Sequence, residues 1–225
     1  GLKPGERYHL RAYVTNGAGT RYSDDCNYAV TYESDFENGH GFVDLGLPSG
    51  LKWATCNVGA ENPYDYGNYY AWGETEPNNV YTIDECSTYY ENDLYNIYGN
   101  PQYDAAAAHW GGKWRMPTAD DFTELVNQCD VSLKTGEKND YNYNTCTVTF
   151  TGKNGNIIRF AKCNYTRDGW WTSTLEVATK PDGSVPYYFD LPQNQQAVNN
   201  IRNHYLSLHG RKMENPIRPV WDPNM

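Results

Sequence analysis

The feature that most restricts the fold lies between Thr118 and Phe160, where one helical period is followed by a strand period. Phe122, Leu125, Val126 and Cys129 fall at i, i+3, i+4 and i+7, which places four apolar side chains on one face of an α-helix. Thr118 supplies an N-cap and Asp121 a carboxylate at the third helical position, so the pattern predicts an amphipathic helix of about three turns after Thr118. Near residue 146 the period changes to two. Cys146, Val148 and Phe150 alternate with Thr147, Thr149 and Thr151, a Gly152-Lys153-Asn154-Gly155 turn follows, and Ile158 and Phe160 resume the apolar face of a β-hairpin. Short strands are expected at Trp170–Thr174, Tyr187–Leu191 and Ile217–Trp221. Together they complete a sheet in which Pro219 marks an edge, because it cannot donate to the ladder. One main helix, a twisted antiparallel sheet and long loops make this an α+β chain.

A chain of 225 residues buries most of its apolar surface without covalent staples, so disulfides are optional. Six widely spaced cysteines with no C-x-x-C pair argue against a zinc ribbon or a thioredoxin-type motif. Buried thiols and one or two disulfides both stay open. Only 39% of residues are hydrophobic while 15% are aromatic, a balance that suits a loop-rich fold with a wet surface. The net charge is -10 and the basic residues never form a run, which excludes nucleic acid and an anionic membrane as partners. No stretch approaches the ~20 apolar residues of a membrane span. The opening Gly1-Leu2-Lys3-Pro4 reads as the middle of a domain, so a signal or lipid anchor is expected upstream.

Residues 1–33 read as an N-terminal β-hairpin: Tyr8, Leu10 and Ala12 alternate with polar neighbours, Asn16-Gly17-Ala18-Gly19 turns, and the stretch from Thr20 to Tyr32 returns. Leu2-Lys3-Pro4-Gly5-Glu6-Arg7-Tyr8 resembles the approach to the penultimate strand of a fibronectin type III domain, where the Tyr makes a corner with upstream backbone. That resemblance implies the C-terminal fragment of such a domain. A hairpin belonging to the main domain is the alternative.

Residues 34–225 carry a second resemblance. Phe42-Val43-Asp44-Leu45-Gly46-Leu47-Pro48-Ser49-Gly50 with Lys52-Trp53-Ala54-Thr55-Cys56-Asn57-Val58-Gly59-Ala60 resembles the opening of the bacterial major paralogous domain family of secreted proteins. Its next signatures are matched by Tyr66-Gly67-Asn68-Tyr69-Tyr70-Ala71-Trp72-Gly73-Glu74-Thr75 and Trp110-Gly111-Gly112-Lys113-Trp114-Arg115-Met116-Pro117-Thr118. Trp170-Trp171-Thr172-Ser173-Thr174 and Ile217-Arg218-Pro219-Val220 close the series, so the likeness runs from about Asp35 to Trp221. It implies a C-type-lectin-like fold, shared with formylglycine-generating-type enzymes and retroelement-diversified variable proteins.

Few constellations carry chemistry. Glu76-Pro77-Asn78 is the tripeptide with which mannose-type lectins hold calcium and a sugar diol, but here it precedes the helix and no Trp-Asn-Asp follows, so it reads as a polar turn. Asp120, Asp121 and Glu124 belong to the helix N-terminus, where the macrodipole favours carboxylates. His204 and His209 are five apart, a spacing that no regular element places on one face for a metal. No Gly-x-Ser-x-Gly elbow, P-loop or dinucleotide glycine pattern occurs. A formylglycine-generating-type enzyme would need a late cysteine pair or three iron-binding histidines, and no cysteine follows Cys163. The expectation is therefore a chain with no catalytic residues, metal or cofactor. Asn164-Tyr165-Thr166 is a formal sequon that says little in a bacterial chain.

The stretch from Tyr187 to Arg211 crowds amides, an Arg, a His and aromatics ahead of the last strand. Tyr gives contact area at low entropy cost and Asn or Gln adaptable hydrogen bonding, as in a paratope; a plain solvated loop is the other reading. Trp170 is expected in the core. Trp171, Tyr187, Asn199, Arg202, Asn203 and Tyr205 are the candidate contacts, expected in one exposed patch. The reading is an exported recognition or adhesion module of a bacterial surface protein, binding a glycan or a host or bacterial surface protein. The alternatives are a structural surface component and, further off, a hydrolase.

Overall fold

The computed structural model describes residues 6–10, 12–17, 19–22, 27–31, 35–77, 86–88, 94, 96–138, 144–163, 169–176, 185–192 and 194–225, without side chains at 6–10, 27–31, 135–138, 144–146 and 162–163. The chain divides into two compact units, 1–33 and 34–225. In the first, β1 (Glu6–Leu10), β2 (Tyr13–Asn16), β3 (Gly19–Tyr22) and β4 (Asn27–Thr31) form two antiparallel ladders, β1 with β4 and β2 with β3. The Asn16↔Gly19 pair closes the turn where the sequence places it, and the Tyr13 and Tyr22 rings meet on an exposed face at 6.0 Å. The Tyr8 side chain, on which a corner would depend, lies outside the described residues.

The second unit is mixed α and β, and all of its strand pairs are antiparallel. It begins with β5 (Asp35–Glu37), β6 (His40–Asp44) and β7 (Lys52–Ala54), followed by α1 (Ala105–Trp110), β8 (Trp114–Arg115) and α2 (Ala119–Gln128). Next come β9 (Asp130–Lys138), β10 (Asn144–Thr151), β11 (Ile157–Cys163), β12 (Gly169–Glu176) and β13 (Val185–Asp190). Short α3 (Gln195–Asn199), a 3-10 turn at Ile201–Asn203, β14 (Leu206–Leu208) and β15 (Val220–Trp221) complete it. Among the described residues three sheets result, ordered β5-β6-β7-β15-β8, β11-β10-β9 and β12-β13-β14.

Helix α2 starts where its capping box predicts. Thr118 Oγ1 accepts from Asp121 N at 3.1 Å and Asp121 accepts from Thr118 N at 2.7 Å, which satisfies two of the N–H groups that a helix start leaves open. Its apolar face buries Phe122, Leu125 and Val126, and Phe122 stacks on Phe189 with centroids 4.2 Å apart. The hairpin of β10 and β11 also forms as its alternation requires.

Three expectations are corrected. The late strands do not share one sheet, since β12 and β13 pair with β14 while β15 joins the N-terminal strands. Ile217–Trp221 shortens to a strand at Val220–Trp221, and this lies between β7 and β8 rather than at an edge. Pro219 fits there because it precedes the ladder and contributes only its carbonyl, which accepts from Ala54 N at 2.9 Å. Strand β9 extends the hairpin to three strands with a lone alternation of Val131 and Leu133 that the sequence does not set apart.

Two apolar cores lie within this unit. One gathers Val43, Trp53, Phe122, Phe150, Phe160 and Trp170; the other gathers Phe42, Tyr70, Trp72, Trp110, Trp114 and Trp171. Phe42 and Val43, and likewise Trp170 and Trp171, are adjacent residues that enter different cores, as the period of two demands when both faces of a strand are covered. Asn57 is a polar hub between distant segments. Its amide donates to the carbonyls of Asp65 (3.3 Å) and Tyr66 (3.0 Å), and its Oδ1 accepts from Trp170 Nε1 (3.0 Å) and Arg218 Nε (2.7 Å). Arg218, only 1% exposed, also donates to the carbonyls of Ala54, Thr55 and Arg159 and lies 4.7 Å from the Phe160 ring centroid. Removing the hub strands several buried polar groups together. N57A is expected to lower the unfolding free energy by about 2–4 kcal/mol. Urea unfolding followed by tryptophan fluorescence checks this, because all tryptophans lie in residues 34–225. An unchanged midpoint would show that the hub is dispensable.

Candidate functional site

The segment from Asn194 to Tyr205 folds into a corner rather than an open loop. The Asn194 side chain caps α3 by accepting from Ala197 N at 2.8 Å, and the 3-10 turn continues from it, with His204 N donating to Ile201 O at 3.2 Å. Val198 and Ile201 are buried, while Asn194, Gln195, Gln196, Asn199, Asn200, Arg202, Asn203 and His204 are exposed. The Tyr205 hydroxyl donates to Thr123 Oγ1 on α2 at 3.0 Å and Asp190 N donates to Tyr205 O at 2.8 Å, which ties the corner to the scaffold. A short rigid backbone thus holds a row of amides and one guanidinium in water.

Of the sequence-predicted contacts, Asn199, Arg202 and Asn203 come together on this corner. Tyr205 is half-buried and serves as its anchor. Tyr187 is half-exposed on β13 opposite Leu208, three residues along the strand from Asp190 and so roughly 10 Å away. Burial, and then the nearby Glu176 carboxylate, raises the Tyr187 phenol above its ordinary value, so it stays a neutral hydrogen-bonding group. Trp171 is a correction. It is 0% exposed, its Nε1 donates to Tyr70 O at 2.7 Å, and it belongs to the second core because β12 is covered on both faces. Trp170 is buried as expected.

Other sequence candidates have structural partners. Asp121 pairs with Arg115 at 2.6 Å, and Glu124 accepts from the Ser49 backbone N–H at 2.9 Å and from its hydroxyl at 2.5 Å. His209 Nδ1 lies 3.2 Å from the Asn215 amide, and its ring packs against Tyr188. Asn78 and the sequon fall outside the described residues. Among the described residues, no group of three or more His, Cys, Asp or Glu could hold a metal, and no helix is long and apolar enough to cross a membrane. Cys56, Cys86 and Cys129 are free thiols, and burial pushes Cys129 up to about 11, far from thiolate chemistry.

A groove of about 350 Å³ lies elsewhere on the same unit, lined by His40, Gly59, Glu61, Asn68, His109 and Trp110 among others. Four separate stretches of chain build it, so no local motif announces it. The glycines of its loops were visible in sequence. Gly59 and Gly67 have φ of 78° and 68°; a Cβ on Gly59 would lie 2.5 Å from the Asn68 amide, and one on Gly67 would strike Val58 O.

Among the described residues, Asp104 is the carboxyl most displaced from ordinary behaviour. It is sealed from solvent, caps α1, and accepts from the backbone N–H groups of Gly99 (2.7 Å), Met116 (2.8 Å) and Ala107 (3.0 Å). Desolvation outweighs these donors and moves it from 3.8 to about 6. The folded state then binds its proton more tightly than the unfolded chain does. Its contribution to stability is complete below the ordinary 3.8 and is lost as pH rises through about 6. D104N removes this titration and turns an amide NH2 toward backbone donors. The stability gap between the parent and D104N, from thermal melts at several pH values, is expected to be widest near the acid end and to narrow by roughly 2–3 kcal/mol toward neutrality. A gap that does not change with pH would mean that Asp104 titrates normally. Compared with known proteins, the chain matches no protein-family model, no curated protein and no solved structure.

Proposed function

We infer that residues 34–225 are an exported, non-catalytic recognition module of C-type-lectin-like fold, carried on a bacterial cell surface behind the end of a fibronectin type III-like domain. The module binds a glycan or a surface protein through the corner at Asn194–Tyr205. The observation that carries this reading is the division of labour in that corner. Val198, Ile201 and Tyr205 fix the backbone, while Asn199, Arg202 and Asn203 are exposed, Asn199 accepting from its helix neighbour Gln195. Preorganised polar groups on a fixed backbone bind with less ordering cost than a mobile loop. Arg and amides on such a surface match the composition of contact residues in recognition sites. The acidic net charge of -10 directs the module away from nucleic acid and toward neutral or basic surfaces.

The test is binding of the purified chain to a panel of glycans and cell-surface proteins, with and without chelator, beside N199A/R202A/N203A. All three positions are exposed, so the variant is expected to melt like the parent. A specific partner should lose about thirty-fold or more in affinity, which corresponds to the removal of one or two strong contacts. Equal binding by both proteins would place the contact surface elsewhere. Binding by neither would rule out the recognition role for these partner classes and favour a structural surface component.

A further inference from the structure

The groove beside Trp110 shares no residue with the corner, and its chemistry can be read separately. One wall is aromatic and flat. The His40 ring lies on the Trp110 indole with centroids 3.8 Å apart and planes 8° apart, and Trp114 meets both rings edge-on. Asn38 Nδ2, donating to Trp110 O at 2.8 Å, fixes this wall to the β5–β6 hairpin. Burial lowers the His40 pKa below the usual 6.5, so the stacked ring is neutral near neutral pH.

The rest of the lining offers acceptors. His109 Nε2 is 2.7 Å from Thr75 O, a carbonyl, so that nitrogen is a donor, and in the neutral ring Nδ1 is an acceptor. The Asn68 amide donates to the Tyr70 hydroxyl at 3.3 Å, which turns its carbonyl oxygen to other use. Glu61 adds an exposed carboxylate, and among the described residues the groove lining contains no Lys or Arg. Rigidity comes from the clipped loops beneath: Asn68 N donates to Val58 O at 2.9 Å, and Val58 N to Ile217 O at 3.0 Å.

Such a site selects its ligand by elimination. Phosphates and carboxylates bring acceptors and negative charge to a wall that already has both. A purely apolar ligand would cover Asn68, His109 and Glu61 without replacing their water. A saccharide ring brings what is missing, with several O–H donors on its rim and a C–H face for the aromatic plane. The volume of about 350 Å³ lies in the range of small-ligand sites. We propose that this groove is a metal-independent binding site for a neutral saccharide unit, with Glu61, Asn68 and His109 accepting its hydroxyl protons and the His40–Trp110 stack carrying its ring.

The experiment is saturation-transfer difference NMR on the whole chain in excess EDTA, with the methyl glycosides of glucose, galactose, mannose, fucose and N-acetylglucosamine as probes and tetramethylammonium as a cation control. Transfer to the C–H protons of one glycoside is expected. Its affinity should fall about ten-fold or more in E61A and in H109A, both changes at exposed side chains, since hydrogen bonds to charged or well-placed acceptors are worth that much. It should be unchanged in N199A/R202A/N203A, which separates this site from the corner. No transfer to any glycoside, transfer unaffected by E61A and H109A, transfer to tetramethylammonium alone, or loss only in the corner variant would each overturn the assignment.

Discussion

A guanidinium 1% exposed has to be solvated by the protein itself, and the second unit is arranged around that requirement. Arg218 takes carbonyls from the end of β7 and from β11, and the amide oxygen of Asn57, which in turn holds the indole of Trp170. These dipoles help to hold the cation, so every segment that supplies one must be in place. Strands of three different sheets and the loop between Cys56 and Tyr66 are thereby fixed to one another through a few atoms. The groove inherits its shape from the same arrangement, because its floor is the loop pair that Asn57 and Val58 pin down.

Much of the second unit was legible where the determinants are local. Helix α2 follows from Thr118, Asp121 and a 3.6-residue period, and the β10–β11 hairpin from a two-residue period and a glycine-bounded turn, both of which operate within about a dozen residues. Legibility failed where a strand is covered on both sides. Trp170 and Trp171 look alike in sequence, and only the second core distinguishes a buried Trp171 from a surface contact. It failed also for β15, whose neighbours are Trp53 and Arg115, far away along the chain. The exposed part of the candidate corner was legible from residue type alone, but its helical backbone was not, because Asn194 as a cap looks the same as Asn194 in a loop. The groove was not legible at all. His40, Glu61, Asn68 and His109 acquire meaning only when a strand, a helix and two loop stretches converge.

The sequence blocks that carry the family resemblance turn out to hold the fixed parts of the architecture. Asn57, Tyr70, Trp72, Trp114, Trp170 and Arg218 all come from those blocks, and all are buried. They form hydrogen bonds across the molecule: Trp72 Nε1 to Thr172 O, Trp114 Nε1 to Glu37 O and Trp171 Nε1 to Tyr70 O. Indoles used this way fill volume and close a polar contact in one residue. The exposed corner residues Asn199, Arg202 and Asn203 lie between blocks, on connections that the scaffold holds but does not specify.

The hub also sets the order in which the chain can become native. Asn57 and Arg218 are 161 residues apart, and β7 receives its inner neighbour only when Val220 and Trp221 arrive. As the chain emerges from a ribosome, β7 has only β6 beside it and the Asn57 amide lacks Trp170 and Arg218. Contacts of such long range make folding slow and nearly all-or-none. The second unit therefore stays uncommitted until the segment from Arg218 to Trp221 has been delivered.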